Sequence, residues 1–149
     1  TEVDLTAMAT TVVDTLRRAD PMRTVIVHIE PGLTTVADPG LTRIVLDNLI
    51  ANAWKFTSRT SHATIFVERL DATSFQVRDN GAGFDPAYRS KLFQPFQRLH
   101  GDEDFPGTGI GLATVRRAIV RHGGSVAAQG RPGQGATVSF SFGQWPGAG

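Results

Sequence analysis

Three stretches of this sequence combine residue types that can hold an anion or a hard cation. The first is Asp79-Asn80-Gly81-Ala82-Gly83-Phe84. It ends an alternating run in which Phe75, Val77 and Asp79 share one strand face, so a carboxylate closes an apolar row. That places an acid at the floor of a mostly dry pocket. Gly81 and Gly83 permit a sharp turn and let a ligand approach without Cβ interference. Taken alone, Asp-Asn-Gly is also good turn chemistry, and the stretch by itself reads as a turn.

The second stretch supplies Asn48, Asn52 and Lys55, spaced i, i+4, i+7 along one helix face. Asparagine is a poor mid-helix residue because its amide competes for backbone hydrogen bonds. Two stacked on one face call for a reason beyond a solvated surface. The third is Gly107-Thr108-Gly109-Ile110-Gly111-Leu112-Ala113, at the start of a helix. Exposed N–H groups and the positive end of the helix dipole suit phosphate there. No strand directly precedes it, as a dinucleotide fold requires, and no Gly-Lys-Ser/Thr follows, as a Walker loop requires. The His-Arg-Asp and Asp-Phe-Gly pair of eukaryotic-type kinases is absent as well.

The elements that must position these residues follow from periodicity. Val3-Asp4-Leu5 reads as a short edge strand, and Thr6 as the cap of a helix over Ala7–Ala19. Thr24–Glu30 alternates as a strand, Pro31-Gly32 turns it, and Thr34–Ala37 is expected as its short partner. Asp38 caps the next helix, with Pro39 at its first position. That helix, Pro39–Phe56, buries Leu46, Leu49, Ile50 and Ala53 at i, i+3, i+4, i+7, beside the polar Asn48 stripe. Ala63–Leu70 and Ser74–Asp79 are two strands joined near Asp71. Pro86–Phe93 is a short helix and Gln97–Pro106 a polar loop carrying three acids. Gly107 opens a helix to about His122 with Leu112, Val115 and Ile119 inward, and Gly123-Gly124 ends it. Ser125–Gln129 is a strand, and Ala136, Val138, Phe140 and Phe142 alternate as another.

Composition narrows the function classes. A chain of 149 residues with 40% hydrophobic and 19% charged residues forms one domain with a real core. A net charge of +1 favours neither nucleic acid nor an acidic membrane, so no nucleic-acid partner and no direct membrane contact are expected. The absence of cysteine excludes disulfides, thiolate catalysis and cysteine-based zinc sites. No apolar run approaches the ~18 residues of a membrane span, and Thr1–Thr11 lacks a signal-peptide pattern. A cytoplasmic location is expected, with a parent protein that could be membrane-anchored through other segments.

Four segments in fixed order carry a family resemblance. Asn48-Leu49-Ile50-Ala51-Asn52-Ala53-Trp54-Lys55-Phe56 resembles the N box of the GHKL ATPase/kinase superfamily. Asp79–Gly83 resembles its G1 box, Phe93-Gln94-Pro95-Phe96 its F box, and Gly107–Ala113 its G2 box. The F box and the Asn-Ala-x-Lys-Phe-Thr form of the N box are similar to sensor histidine kinases in particular. The resemblance spans roughly Val3 to Phe142. It implies a two-layer α/β sandwich of the Bergerat type: a mixed sheet of about five strands with three helices on one face. Residues 1–143 would form the ATP-binding catalytic domain and 144–149 a loose tail.

The resemblance also implies roles. Asp79 would accept a hydrogen bond from the adenine amino group and repel the guanine carbonyl, so ATP should be preferred to GTP. Asn52 would offer its amide oxygen to Mg²⁺. Asn48 and Lys55 would meet phosphates or metal-bound water. Gly81 and Gly83 would let the backbone pass close to the base. Thr108, Gly109, Ile110, Gly111 and Leu112 would hold the phosphates. Arg98, after the F box, would reach the γ-phosphate and stabilise its transfer, which with Asn48 and Lys55 makes the catalytic set.

Such kinases phosphorylate a histidine on a helical dimerisation domain, and their phosphoryl group passes to a response regulator. Neither His28, His62, His100 nor His122 has the helical setting of that acceptor, so the acceptor is expected on a separate domain. Two other readings stay open. One is a non-catalytic ATP-binding regulatory module. The other is an ATPase of the gyrase or chaperone type, which needs a water-activating glutamate in the N-box helix. Asp47 is the acid nearest that position. Trp54 is read as core packing rather than adenine contact, and Asp102, Glu103 and Asp104 as a solvated lid face.

Overall fold

A computed structural model describes residues 1–84 and 111–143. The expected helix Pro86–Phe93, the F box, Arg98, the acidic lid and the first residues of the G2 box lie outside the described residues.

Local chemistry sets the helix starts. Helix α1 spans Leu5–Ala19 and follows strand β1, Glu2–Asp4. Its cap is Asp4, whose side chain accepts the Ala7 N–H at 2.9 Å. The expected cap, Thr6, lies one residue inside the helix. Its hydroxyl donates to the Glu30 carbonyl and accepts the Leu33 N–H, pinning α1 to the chain that leaves the second strand. A carboxylate beats a hydroxyl at the cap because it also meets the helix dipole. Helix α2, Pro39–Phe56, starts as expected: Asp38 accepts the Leu41 N–H at 2.8 Å and Pro39 occupies the first turn. Helix α3, Gly111–Arg121, ends on Gly123 at φ +84°, a left-handed conformation suited to glycine.

The main sheet has five strands in the order β2-β4-β5-β7-β6. They span Ile26–Ile29 (β2), Thr64–Asp71 (β4), Ser74–Asp79 (β5), Ser125–Gly130 (β6) and Ala136–Ser141 (β7). Strand β2 runs parallel to β4 and every other pairing is antiparallel, giving the mixed sheet that was expected. One expected pairing is different. The short strand β3, Thr34–Val36, pairs with β1 and not with β2. The Pro31-Gly32 turn thus carries the chain out of the main sheet into a separate two-stranded ribbon. The second strand of the sequence also begins at Ile26, later than Thr24, because Arg17 takes the Val25 carbonyl.

Period-two alternation decides what lies under the helices. On the helix side, register places Val27, Ile65, Asp79, Ala136 and Gly130 in one row across the sheet. The next row is Ile29, Val67, Val77, Val138 and Ala128. Against these rows α2 buries Val45, Leu46, Leu49, Ile50 and Ala53, and α3 buries Val115, Ala118 and Ile119. Trp54 is buried too, with the Arg23 guanidinium over its ring and donating to its carbonyl, so it packs in the core as expected. The opposite face of the sheet carries His28, Phe66, Arg78, Thr137 and Gln129, and no described helix covers it. Among the described residues no helix is long and apolar enough to cross a membrane.

Candidate functional site

The row that ends in Asp79 makes the site. Its neighbours in register are Ile65 and Ala136, so the carboxylate stands where the pattern otherwise places apolar side chains or glycine. Burial there pushes its pKa up from 3.8 to about 6, against two backbone hydrogen bonds that pull it down, from the Gly81 and Ala136 N–H groups. The Gly81 bond is 2.8 Å long.

Around this acid is a cavity whose walls come from four segments. Leu49, Asn52, Ala53 and Phe56 enter from α2, Val77 and Phe84 flank the acid, Leu112 comes from α3, and Ala128, Ala136 and Val138 complete the sheet wall. An apolar slot with a few convergent polar groups, one of them strongly perturbed, is the expected form of a small-molecule site. A roomier groove of about 540 Å³ lies on the open face, lined by Phe66, Arg78, Gln129 and Arg131 among others. It is polar and open, and lacks the dry walls a nucleobase requires.

Of the residues singled out in the sequence, Asn52, Asp79 and Leu112 are brought together in one cavity. Asn48 is half-buried on the same helix. Its amide nitrogen donates to the Ile44 carbonyl at 2.7 Å, which leaves the amide oxygen its acceptor capacity. Lys55 places its ammonium 4.8 Å from the centroid of Phe56, the ring that lines the cavity. Gly111 begins α3. Arg98, Thr108, Gly109 and Ile110 lie outside the described residues.

Gly81 and Gly83 have an additional reason to be glycine. A Cβ on Gly81 would come within 2.3 Å of the Phe56 carbonyl oxygen, and one on Gly83 within 1.9 Å of the Arg131 carbonyl oxygen. Gly83 also holds φ +67°. Both glycines admit a neighbouring backbone, and the Ala82 N–H donates to the same Phe56 carbonyl at 2.9 Å. The end of α2 and the Asp79 loop are therefore locked together.

Sequence reading left out Phe56, Phe84, Ala128, Ala136 and Val138 as cavity walls. The signal for Ala136 and Val138 was present, since they alternate with Phe140 on the helix-facing side. Phe84 and Ala128 meet only through the fold.

Among the described residues, no group of three or more His, Cys, Asp or Glu side chains could hold a metal. A cation here would take the Asn52 amide oxygen together with ligand and water oxygens, a donor set that fits a hard divalent cation such as Mg²⁺.

Comparison with known proteins agrees with this fold. Residues 37–145 match the family model described as histidine kinase-, DNA gyrase B-, and HSP90-like ATPase. Cyanobacterial phytochrome A of Nostoc sp. is 40% identical over 123 residues, covering 76% of this chain and 16% of that protein. The circadian input-output histidine kinase CikA of Synechococcus elongatus is 38% identical over 106 residues, covering 69% of this chain and 14% of its own. The crystal structure of full-length ShkA in complex with AMPPNP superposes with a TM-score of 0.74 at 30% identity, over 94% of this chain and 30% of that one. The chain thus spans a small part of the curated relatives it matches. By its fold, the order of its motifs and its match over residues 37–145, it belongs to the histidine kinase-, DNA gyrase B- and HSP90-like ATPase family.

Proposed function

We propose that the chain is the ATP-binding catalytic domain of a two-component sensor histidine kinase. It binds ATP with Mg²⁺ and transfers the γ-phosphoryl group to a histidine on a separate helical dimerisation domain, from which a response regulator is served. The observation that carries this is the half-buried Asp79 carboxylate, which accepts the Gly81 N–H, has its pKa pushed up by desolvation, and lines an apolar slot shared with Asn52 and Leu112. An ionised acceptor in a dry slot selects a base with an exocyclic amino group. The apolar walls take the faces of that base. Asn52, which lines the same cavity, would offer its oxygen to Mg²⁺, whose charge neutralises the transferring group. Asn48 and Lys55 on the same helix, with Arg98 and Thr108 to Leu112, would complete the phosphate cradle. The relatives named as histidine kinases support the kinase reading.

Among the described residues the setting of the histidines supports a separate acceptor; His100 lies outside them. His122 is fully buried with both ring nitrogens engaged, by the Asp38 N–H and the Phe142 carbonyl. His28 is exposed but stacked on Phe66 on the open sheet face, away from the cavity. His62 sits in a surface turn at φ +56°. A gyrase-type water-activating role for Asp47 is disfavoured, because its carboxylate is tied to Arg43 at 2.9 Å on its own helix.

The test is radiolabelled ATP, with and without a histidine-bearing helical domain. The chain alone should bind nucleotide without labelling itself. With the helical domain an acid-labile, base-stable label should appear on that domain, and Arg98→Ala should slow transfer more than it weakens binding. Orientation of the in-line attack can supply ~7–11 kcal/mol of the barrier, which is why the acceptor must be present. Rapid labelling of the isolated chain would refute the division of labour.

A further inference from the structure

The turn between β6 and β7, residues 131–135, is joined to the Asp79 loop at backbone distance. The Gly133 N–H donates to the Ala82 carbonyl at 2.7 Å. A Cβ on Gly135 would lie 2.0 Å from the Asp79 carbonyl oxygen, and one on Gly130 would lie 2.6 Å from the Phe84 ring. Gly83 meets the Arg131 carbonyl in the same manner. Immediately after the turn, Ala136 is the register partner of Asp79, and its N–H counts among the groups that lower the carboxyl's pKa.

The loop has three anchors. Asn80 fixes it to β4: its side chain accepts the Thr64 N–H at 2.8 Å and donates to the His62 carbonyl at 3.0 Å. Phe56 fixes it to α2 through the Ala82 N–H. The third anchor is the turn, and it leads directly into Ala136, the strand partner of Asp79. A carboxylate offers about four lone-pair directions. The Gly81 N–H takes one of these at 2.8 Å, the Ala136 N–H on the neighbouring strand favours the charged form, and Asp79 lines the cavity with acceptor capacity to spare. Hydrogen bonds weaken steeply once bent, so the aim of the carboxylate decides how sharply an amino group is told from a carbonyl.

We propose that the β6–β7 turn, through Gly133 and Gly135, is a positioning element that aims the Asp79 carboxylate and thereby sets nucleobase selectivity. This rests on the reading of Asp79 as the base acceptor and adds to it residues that sequence motifs do not mark.

Two glycines provide a matched test. Gly32 and Gly133 both hold φ +74°, and a Cβ on either meets nothing within 4 Å. Alanine at each position carries the same backbone strain, but only Gly133 bonds to the Asp79 loop. The experiment measures the thermal midpoint, the dissociation constants for ADP and GDP, and the NMR titration of the Asp79 carboxyl, in the full chain. Gly32→Ala and Gly133→Ala should lower the midpoint alike. Gly133→Ala alone should weaken ADP by ~3–10-fold, narrow the ADP-over-GDP ratio and move the Asp79 titration. Gly133→Asn, which tolerates left-handed φ, should restore all three. Gln134→Gly loosens the same turn without strain and should narrow the ratio in the same direction. A wild-type preference for ADP that Gly133→Ala and Gln134→Gly both leave intact overturns the turn's role alone. A wild type that binds ADP and GDP equally overturns the reading of Asp79, and the proposal with it.

Discussion

Replacing Asp79 by asparagine should make the empty protein more stable and the nucleotide site worse. A carboxyl that titrates near about 6 in the folded chain and near 3.8 otherwise costs ~3 kcal/mol at neutral pH. The sign follows from proton counting. Between these two values the folded state binds the extra proton. The group's favourable contribution is therefore fully present below 3.8 and is lost as pH rises through about 6. Asparagine removes the half-buried charge and keeps one oxygen for the Gly81 N–H; the charge-assisted part of that bond is already contained in the value of about 6. The net expectation is a gain of up to ~3 kcal/mol at about pH 7.5, roughly half of it at about pH 5, and none well below 3.8. Urea unfolding followed by circular dichroism at both values gives this difference. In the same variant adenosine affinity should fall at least ~10-fold, since an amide offers a donor where the base also offers one. Adenosine is the right probe because it carries no titrating phosphate. In the wild type its binding should weaken as pH falls through the same region. A variant less stable than wild type at the higher pH, or a gain that does not change with pH, would refute the account of Asp79 as a desolvated carboxylate.

Further outcomes are expected. Asn52→Ala should leave adenosine binding near wild type and slow phosphoryl transfer to a supplied acceptor domain by at least ~10-fold, about 1.4 kcal/mol of lost transition-state stabilisation; unchanged transfer places the metal elsewhere. His122→Ala should destabilise the fold by ~2–4 kcal/mol, because it empties a buried site and strands the Asp38 N–H and the Phe142 carbonyl; denaturant midpoints check it. Gly124→Ala should be at least as harmful, since its Cβ would come within 1.8 Å of the Ser141 carbonyl oxygen; a folded variant with a wild-type midpoint would contradict that packing.

Much of the frame was legible in the sequence because it depends on local period and local chemistry. The α2 stripe of Leu46, Leu49, Ile50 and Ala53 is buried as its spacing required. Asp38 and Pro39 start that helix from chemistry that acts within four residues. Asp79 ends the Phe75–Val77 row because strand alternation cannot put it elsewhere. What required the tertiary structure is whatever depends on partners distant along the chain. Strand β3 joins β1, a choice between edges that alternation does not encode. His122 looked like a helix end, yet its ring lies 2.9 Å from the Asp38 backbone nitrogen, a residue 84 positions away. Gly81 and Gly83 announced a turn, but the backbones that crowd them, at Phe56 and Arg131, come from an earlier helix and a later turn. Sequence determined which side of its strand the acid faces. Only the closing of α2, α3 and the β6–β7 hairpin around it decided that the carboxylate would be half-buried, with a raised pKa, beside an apolar cavity.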